Sequence, residues 1–292
     1  FETRSTIDLA DQGLDIYAND PSTEVLCIAF GITTETVKVS TPQNPETNHL
    51  WPLMQHVSKG GKIAAWNAMF EYTIWNCVCV PKYGWPELKL EQCIDTMAVA
   101  AANNIPQALE DAALFMDSAH KKDTRGRLLI QKLCKPNRKG EFNNDPAFMS
   151  ELWVYCAQDV RTEMAIGSVL RPLSAVEQDI WTLTQRINIR GVPVAFKELQ
   201  NAVKAVDKAQ AQLDAECLAL TGCKPSERAK LLRWLGDNNA HMPDLTEKTV
   251  SFMLQRSISP KIRRALELRQ EGSQTSVAKY AKMLEIQREG KI

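Results

Sequence analysis

The apolar residues of this chain change their spacing near residue 173, and that change limits the folds open to it. Before it, short apolar runs suited to strands alternate with stretches of helical period; after it, every long periodic stretch is helical. Glu24 to Phe30 (EVLCIAF) and Thr36 to Ser40 (TVKVS) flank Gly31-Ile32-Thr33-Thr34-Glu35, the pattern of a hairpin. A helix is expected around His49 to Val57, and a short strand from Lys62 to Trp66. Phe70 to Val78 reads as a helix stopped by Pro81. Another helix starts near Asp95, with Asp95 or Thr96 as its cap, and a short one covers Gln107 to Phe115. Residues 117–146 are polar and irregular, a long surface excursion with a helical patch at Leu128 to Leu133. Pro146 to Leu170 is helical again.

The second half opens with Ser174 and Glu177, an S-x-x-E capping box, before a helix that ends at Gly191-Val192-Pro193. Helices are then expected over Lys197 to Leu220, Ser226 to Leu235 and Lys248 to Gln255, with one opening near Pro260 and a last one from Ser273 to Arg288. The fold class expected is α/β for residues 1–173, followed by a mainly helical second domain over 174–292.

With 292 residues the chain can bury two cores. No apolar run approaches the roughly 18 residues of a membrane span, and no signal peptide is visible, so no membrane partner is expected. The eight cysteines lack CxxC pairs and zinc spacing. They read as reduced thiols in a cytoplasmic protein. Net charge is zero, yet residues 174–292 carry 19 Lys+Arg against 14 Asp+Glu, while residues 1–173 carry 16 against 21. An acidic half followed by a basic half suits a metal-dependent site joined to a region that grips a polyanion.

Acids stand at three well separated places: Glu2 in Phe1-Glu2-Thr3-Arg4-Ser5, Glu71 in Asn67-Ala68-Met69-Phe70-Glu71, and Asp159 in Tyr155-Cys156-Ala157-Gln158-Asp159. Like charges gathered from distant segments repel unless a cation sits between them. Tyr155 and Asp159 are four apart on a helix and project from one face. Taken singly, each has a plainer role. Tyr155 and Asp159 suit a solvent-facing pair, Asn67 and Asp95 suit helix caps, Glu71 suits a first-turn acid, and Glu2 a solvated terminus.

Order and context add a resemblance. A D-x-E at a first strand, an N-x-x-F-D/E after a later strand and a Y-x-x-x-D on a late helix resemble the three exonuclease motifs of the DEDD superfamily. Its Tyr-containing branch includes the proofreading domains of family A DNA polymerases. FETRSTIDLADQGLDIYANDPSTEVLCIAFG, WNAMFEYTIWN, CIDTMAVAAANNIPQALEDAA and YCAQDVRTEMAI are similar to segments of polymerase I-type enzymes of phages and prophages. LSAVEQDIWTLTQRINIRGVPV resembles the start of the polymerase region, and SPKIRRALELRQEGSQTSVAKYAKML its thumb.

The resemblance implies an RNase H-like mixed sheet with flanking helices over 1–173, and 3′–5′ hydrolysis of DNA with two Mg²⁺ or Mn²⁺ ions. Glu2, Asp159 and an aspartate expected immediately before Phe1 would hold the metals; Glu71, where most of the superfamily has Asp, would bind the second ion mainly through water. Tyr155 would orient the attacking water. Thr3 and Asn67 would contact the terminal nucleotide of a single-stranded 3′ end or primer-template, and Arg256, Lys261, Arg263 and Arg264 would grip duplex backbone. The chain stops at Gly290-Lys291-Ile292, where the family would enter its palm, so polymerization by this chain alone is not expected, and the palm and fingers stand as a partner. Two alternatives stay open: an RNase D-type exoribonuclease, and a silent exonuclease fold used as a DNA-binding or assembly module.

Overall fold

The computed structural model describes residues 1–42, 49–118, 125–273, 275–287 and 290–291. The chain divides into two compact units, Phe1–Ile189 and Arg190–Ile292.

Unit 1 opens with β1 (Glu2–Arg4), α1 (Leu9–Gln12) and α2 (Leu14–Asn19), followed by β2 (Glu24–Phe30) and β3 (Lys38–Ser40). These strands form an antiparallel sheet in the order β1-β2-β3. The expected hairpin is present, with Ile28 opposite Ser40 and Phe30 opposite Lys38. Its turn takes Thr36 into a short 3₁₀ segment, where Thr36 Oγ1 accepts from Thr33 N at 2.9 Å. Every residue from Val25 to Ala29 is buried, as an unbroken apolar run requires.

Next come α3 (Trp51–Ser58), β4 (Ile63–Ala65), α4 (Ala68–Ile74), α5 (Val80–Tyr83) and β5 (Cys93–Asp95). β4 and β5 pair in parallel. Antiparallel and parallel pairing thus both occur, in two separate sheets among the described residues. Pro81 does not stop the helix that precedes it. Between α4 and α5 the chain widens into a π-helical turn, Trp75–Cys79, with Val80 N bonded to Trp75 O. A widened turn relieves the clash between the proline ring and the carbonyl four residues back, and the missing N–H is absorbed there. The turn also presents Trp75, whose Nε1 donates to Pro86 O at 2.7 Å and whose ring meets Trp85 edge-on at 4.7 Å.

α6 (Thr96–Ala102) is capped by Asp95, and α7 (Leu109–Phe115) follows. α8 (Gly126–Leu133) falls in the stretch expected to be a surface excursion, of which 119–124 lie outside the described residues. The described part is not all surface. Leu129 and Leu133 are buried with Leu26, Leu152 and Tyr155, so α8 packs on α9 (Pro146–Gly167). α9 in turn covers β2, placing Cys156 and Ala157 against Cys27 and Ala29.

α10 (Ala175–Arg190) begins with the expected capping box, Ser174 N donating to Glu177 Oε2 at 2.7 Å. It belongs with unit 1, later than the 173/174 division the sequence suggests. Trp181 is buried with the first core, its Nε1 donates to Asp95 Oδ2 at 3.1 Å, and Arg186 pairs with Glu91.

Unit 2 is helical: α11 (Phe196–Thr221), α12 (Arg228–Asp237), α13 (Glu247–Leu254), α14 (Pro260–Glu271) and α15 (Ala278–Ile286). α11 ends at Gly222, whose φ of 76° only glycine adopts without strain. Leu231, Leu235, Leu245, Val250, Ile262 and Leu266 form its core. Gln274 and Arg288, within the last expected helix, lie outside the described residues. All eight cysteines are free thiols. No helix among the described residues is long and apolar enough to cross a membrane.

Candidate active site

The first motif lies on β1, whose register against β2 shifts between Glu2 and Thr3. Phe1 and Thr3 turn into the core of unit 1. The Phe1 ring lies 6.4 Å from Trp75 and 6.2 Å from Trp85, and Thr3 Oγ1 is 2.8 Å from the Tyr17 hydroxyl. Glu2, between them, lies near enough to Tyr155 on α9 for its charge to act on the phenol. The buried Thr3 hydroxyl is therefore held by the core rather than presented to a ligand.

Tyr155 and Asp159 share one face of α9, and the Tyr155 hydroxyl donates to the Asp159 carboxylate. Tyr155 is only 2% exposed. Burial pushes its pKa up, and the charges of Asp159 and Glu2 push it further. The charges of two expected site acids, Asp159 and Glu2, thus both act on the Tyr155 hydroxyl. Glu71 stands in the first turn of α4 with Oε1 3.6 Å from the Phe1 nitrogen. Its Oε2 is buried without a hydrogen-bond partner. Burial raises the Glu71 pKa, the Phe1 amino group pulls it down, and Asp95 adds to the rise.

Sequence reading missed Glu163. It continues the Tyr155–Asp159 series by another four residues, so the signal was present in YCAQDVRTE. Its Oε1 accepts from Thr96 Oγ1 at 2.8 Å, and the Trp66 backbone N–H also donates to it. Burial, with the Glu71 charge adding to it, raises its pKa to about 7 against the lowering effect of these hydrogen bonds. Glu163 therefore joins the start of α6 and the end of β4 to the helix that carries Tyr155 and Asp159.

The caps sort themselves out. Asp95 Oδ1 accepts from Met97 N and Ala98 N and also from Asn67 N at 3.1 Å, so this acid is fully used as a cap. Asn67 occupies the N-cap position of α4 with a left-handed backbone, φ 65° and ψ 55°, but its side chain makes no capping bond and is exposed.

In unit 2 the four expected cations divide into two pairs. Arg263 donates to the carbonyls of Leu254 and Arg256 and so closes the end of α13. Arg264 grips both Glu216 oxygens, at 2.7 and 2.8 Å, and pairs with Glu271. Both of these make contacts within unit 2. Arg256 and Lys261 are exposed and lie over the rings of Phe252 and Trp234.

Carboxylates are the donors Mg²⁺ and Mn²⁺ prefer, and the orphaned Glu71 oxygen is a buried acceptor awaiting a partner. In donor chemistry the site fits such an ion. Among the described residues, however, no three His, Cys, Asp or Glu side chains are gathered as one ligand set.

The chain is similar to a phage DNA polymerase. It is 30% identical over 295 residues to the DNA polymerase of Bacillus phage SP02, a match that covers 97% of this chain and 45% of that protein. The chain thus spans about half the length of the curated relative it matches. No protein-family model matches it.

Proposed function

We propose that unit 1 is a metal-dependent 3′–5′ exonuclease that removes nucleoside monophosphates from DNA 3′ ends, a proofreading activity associated with a DNA polymerase. The observation that carries this is the buried Tyr155 hydroxyl bonded to Asp159 and within range of the Glu2 charge, which comes from a segment more than a hundred residues away. Similarity to a phage DNA polymerase along nearly the whole chain favours DNA over an RNase D-type substrate.

Glu2 and Asp159, with an aspartate joined ahead of Phe1, would hold the divalent ions, and Glu71 would reach one of them through water. Bound there, the ions would polarise the phosphodiester and lower the pKa of a bound water. A residue joined to the Phe1 nitrogen starts within reach of Glu71, since the two are 3.6 Å apart. Tyr155, kept protonated by burial and by the acids around it, orients water through its hydroxyl and does not act as the base. Asn67, exposed at the start of α4, would meet the terminal nucleotide. Arg256, Lys261, Arg263 and Arg264 of unit 2 would contact DNA backbone, the last two from positions held by Leu254, Arg256 and Glu216.

The test is digestion of a 3′-labelled DNA oligonucleotide, with an RNA of the same sequence alongside. It is run on the chain and on the chain extended by an aspartate before Phe1, in Mg²⁺, in Mn²⁺ and in EDTA. Release of mononucleotides from DNA that needs metal, and that Asp159→Ala abolishes without altering thermal unfolding, is the expected result. Digestion by Asp159→Ala at the parent rate would sink the assignment. One observation favours a second reading, a DNA-binding module that does not cut: no three acids are gathered among the described residues. Binding of DNA ends with no digestion by either chain would select it.

A further inference from the structure

We propose that Gly126 is a positioning residue for the Tyr155 hydroxyl, its missing side chain being the space that the phenol ring fills. This rests on the reading of Tyr155 as the group that orients water. A Cβ built at Gly126 would lie 2.0 Å from Tyr155 Cε2, 2.4 Å from Cζ and 2.7 Å from Cδ2. No real side chain tolerates such distances, so either the ring or the first turn of α8 must move.

Backbone conformation does not explain the glycine. Gly126 is not among the glycines with positive φ, and it opens a helix in a conformation any residue adopts. Space explains it. The ring has little room to retreat, because Leu26, Leu129, Leu133 and Leu152 are buried around it. Leu129 and Leu133 belong to α8 itself, so lifting that helix away would pull both out of the same core. The remaining movement displaces the ring, and with it the hydroxyl that bonds Asp159. α8 is thus one wall of the site, although the polar stretch around it resembles an idle excursion.

The experiment is a double-mutant cycle of Gly126→Ala and Tyr155→Ala, read by thermal unfolding and by digestion of a 3′-labelled DNA oligonucleotide. In the parent chain, Gly126→Ala should lower kcat by about 100-fold, the scale of a 1 Å misplacement. KM should stay within about twofold, since no group placed against the nucleotide is changed. It should also lower the melting temperature. In the Tyr155→Ala background the clash is gone and alanine is the better helix former, so the same change should leave the melting temperature equal or higher. An equal loss of melting temperature in both backgrounds would overturn the packing claim. A parent-like kcat for Gly126→Ala would overturn the positioning claim. An inactive parent chain would overturn the reading of the site itself, and the stability cycle would still report the contact.

Discussion

At the scale of single residues, Glu163 sets charge against burial. Its pKa of about 7 in the folded chain stands above the ordinary 4.5 of a glutamate, with burial the main cause. Below pH ~4.5 both folded and unfolded states hold the proton, and ionisation costs nothing. As pH rises towards 7 the unfolded chain ionises first, so stability falls, and above 7 the loss is complete. Glu163→Gln keeps the shape and removes the titration. In EDTA it should match the parent near pH 4 and exceed it by on the order of 2–3 kcal/mol at pH 8, by urea unfolding. A variant less stable than the parent at pH 8 would contradict that balance. Residue chemistry was only partly legible beforehand. The four-residue spacing of Tyr155 and Asp159 exposes their shared face, and the same rule carried on one step reaches Glu163. That Thr3 and Arg264 would be spent on Tyr17 and Glu216 could not be read, because those partners lie 14 and 48 positions away.

At the scale of elements, the cap at Asp95 joins three pieces of structure. One carboxylate starts α6, receives the amide at the head of α4, and holds the indole of α10. An ordinary cap is worth about 1 kcal/mol, and each further bond to a charged group adds about 1.5–3 kcal/mol. Asp95→Ala should therefore cost at least about 4 kcal/mol in urea unfolding. Asp95→Asn should cost less, because an amide oxygen can still cap α6. Equal losses would show that the cap, which asparagine keeps, contributes nothing. Local signals found this cap, since Asp before an alanine-rich helical run is a short-range pattern. They failed at Pro81, where the π turn depends on Trp75 reaching Pro86 and Trp85 across the core. At α8 they found the helix, as the patch at Leu128 to Leu133, but not its burial, because its two leucines matter only once α9 is beside them.

At the scale of the whole molecule, the division into units follows hydrogen bonds rather than composition. The change of period near residue 173 is real, yet the first all-helical segment is held by unit 1 through Trp181 and Arg186. A fragment ending at Leu173 leaves Asp95 without its indole donor and exposes the core that Trp181 covers. It should melt several degrees below a fragment ending at Ile189. Equal melting temperatures would return the boundary to where the sequence alone suggests it. The alternation of strands and helices, then helices only, was legible because it rests on local period. The place of the cut was not, because it rests on contacts between Asp95 and a residue 86 positions later.

The two tryptophans at the π turn and the loop after it have an optical consequence. Indoles 4.7 Å apart and inclined by 65° couple their electronic transitions, and such a pair gives a split band of opposite signs in circular dichroism. Phe1 lies against both rings, and Glu2 is the next residue. If β1 undocks, the rings lose that neighbour and the band changes with it. The protein therefore carries an intrinsic spectroscopic gauge, needing no label, of whether its first acid is held in place.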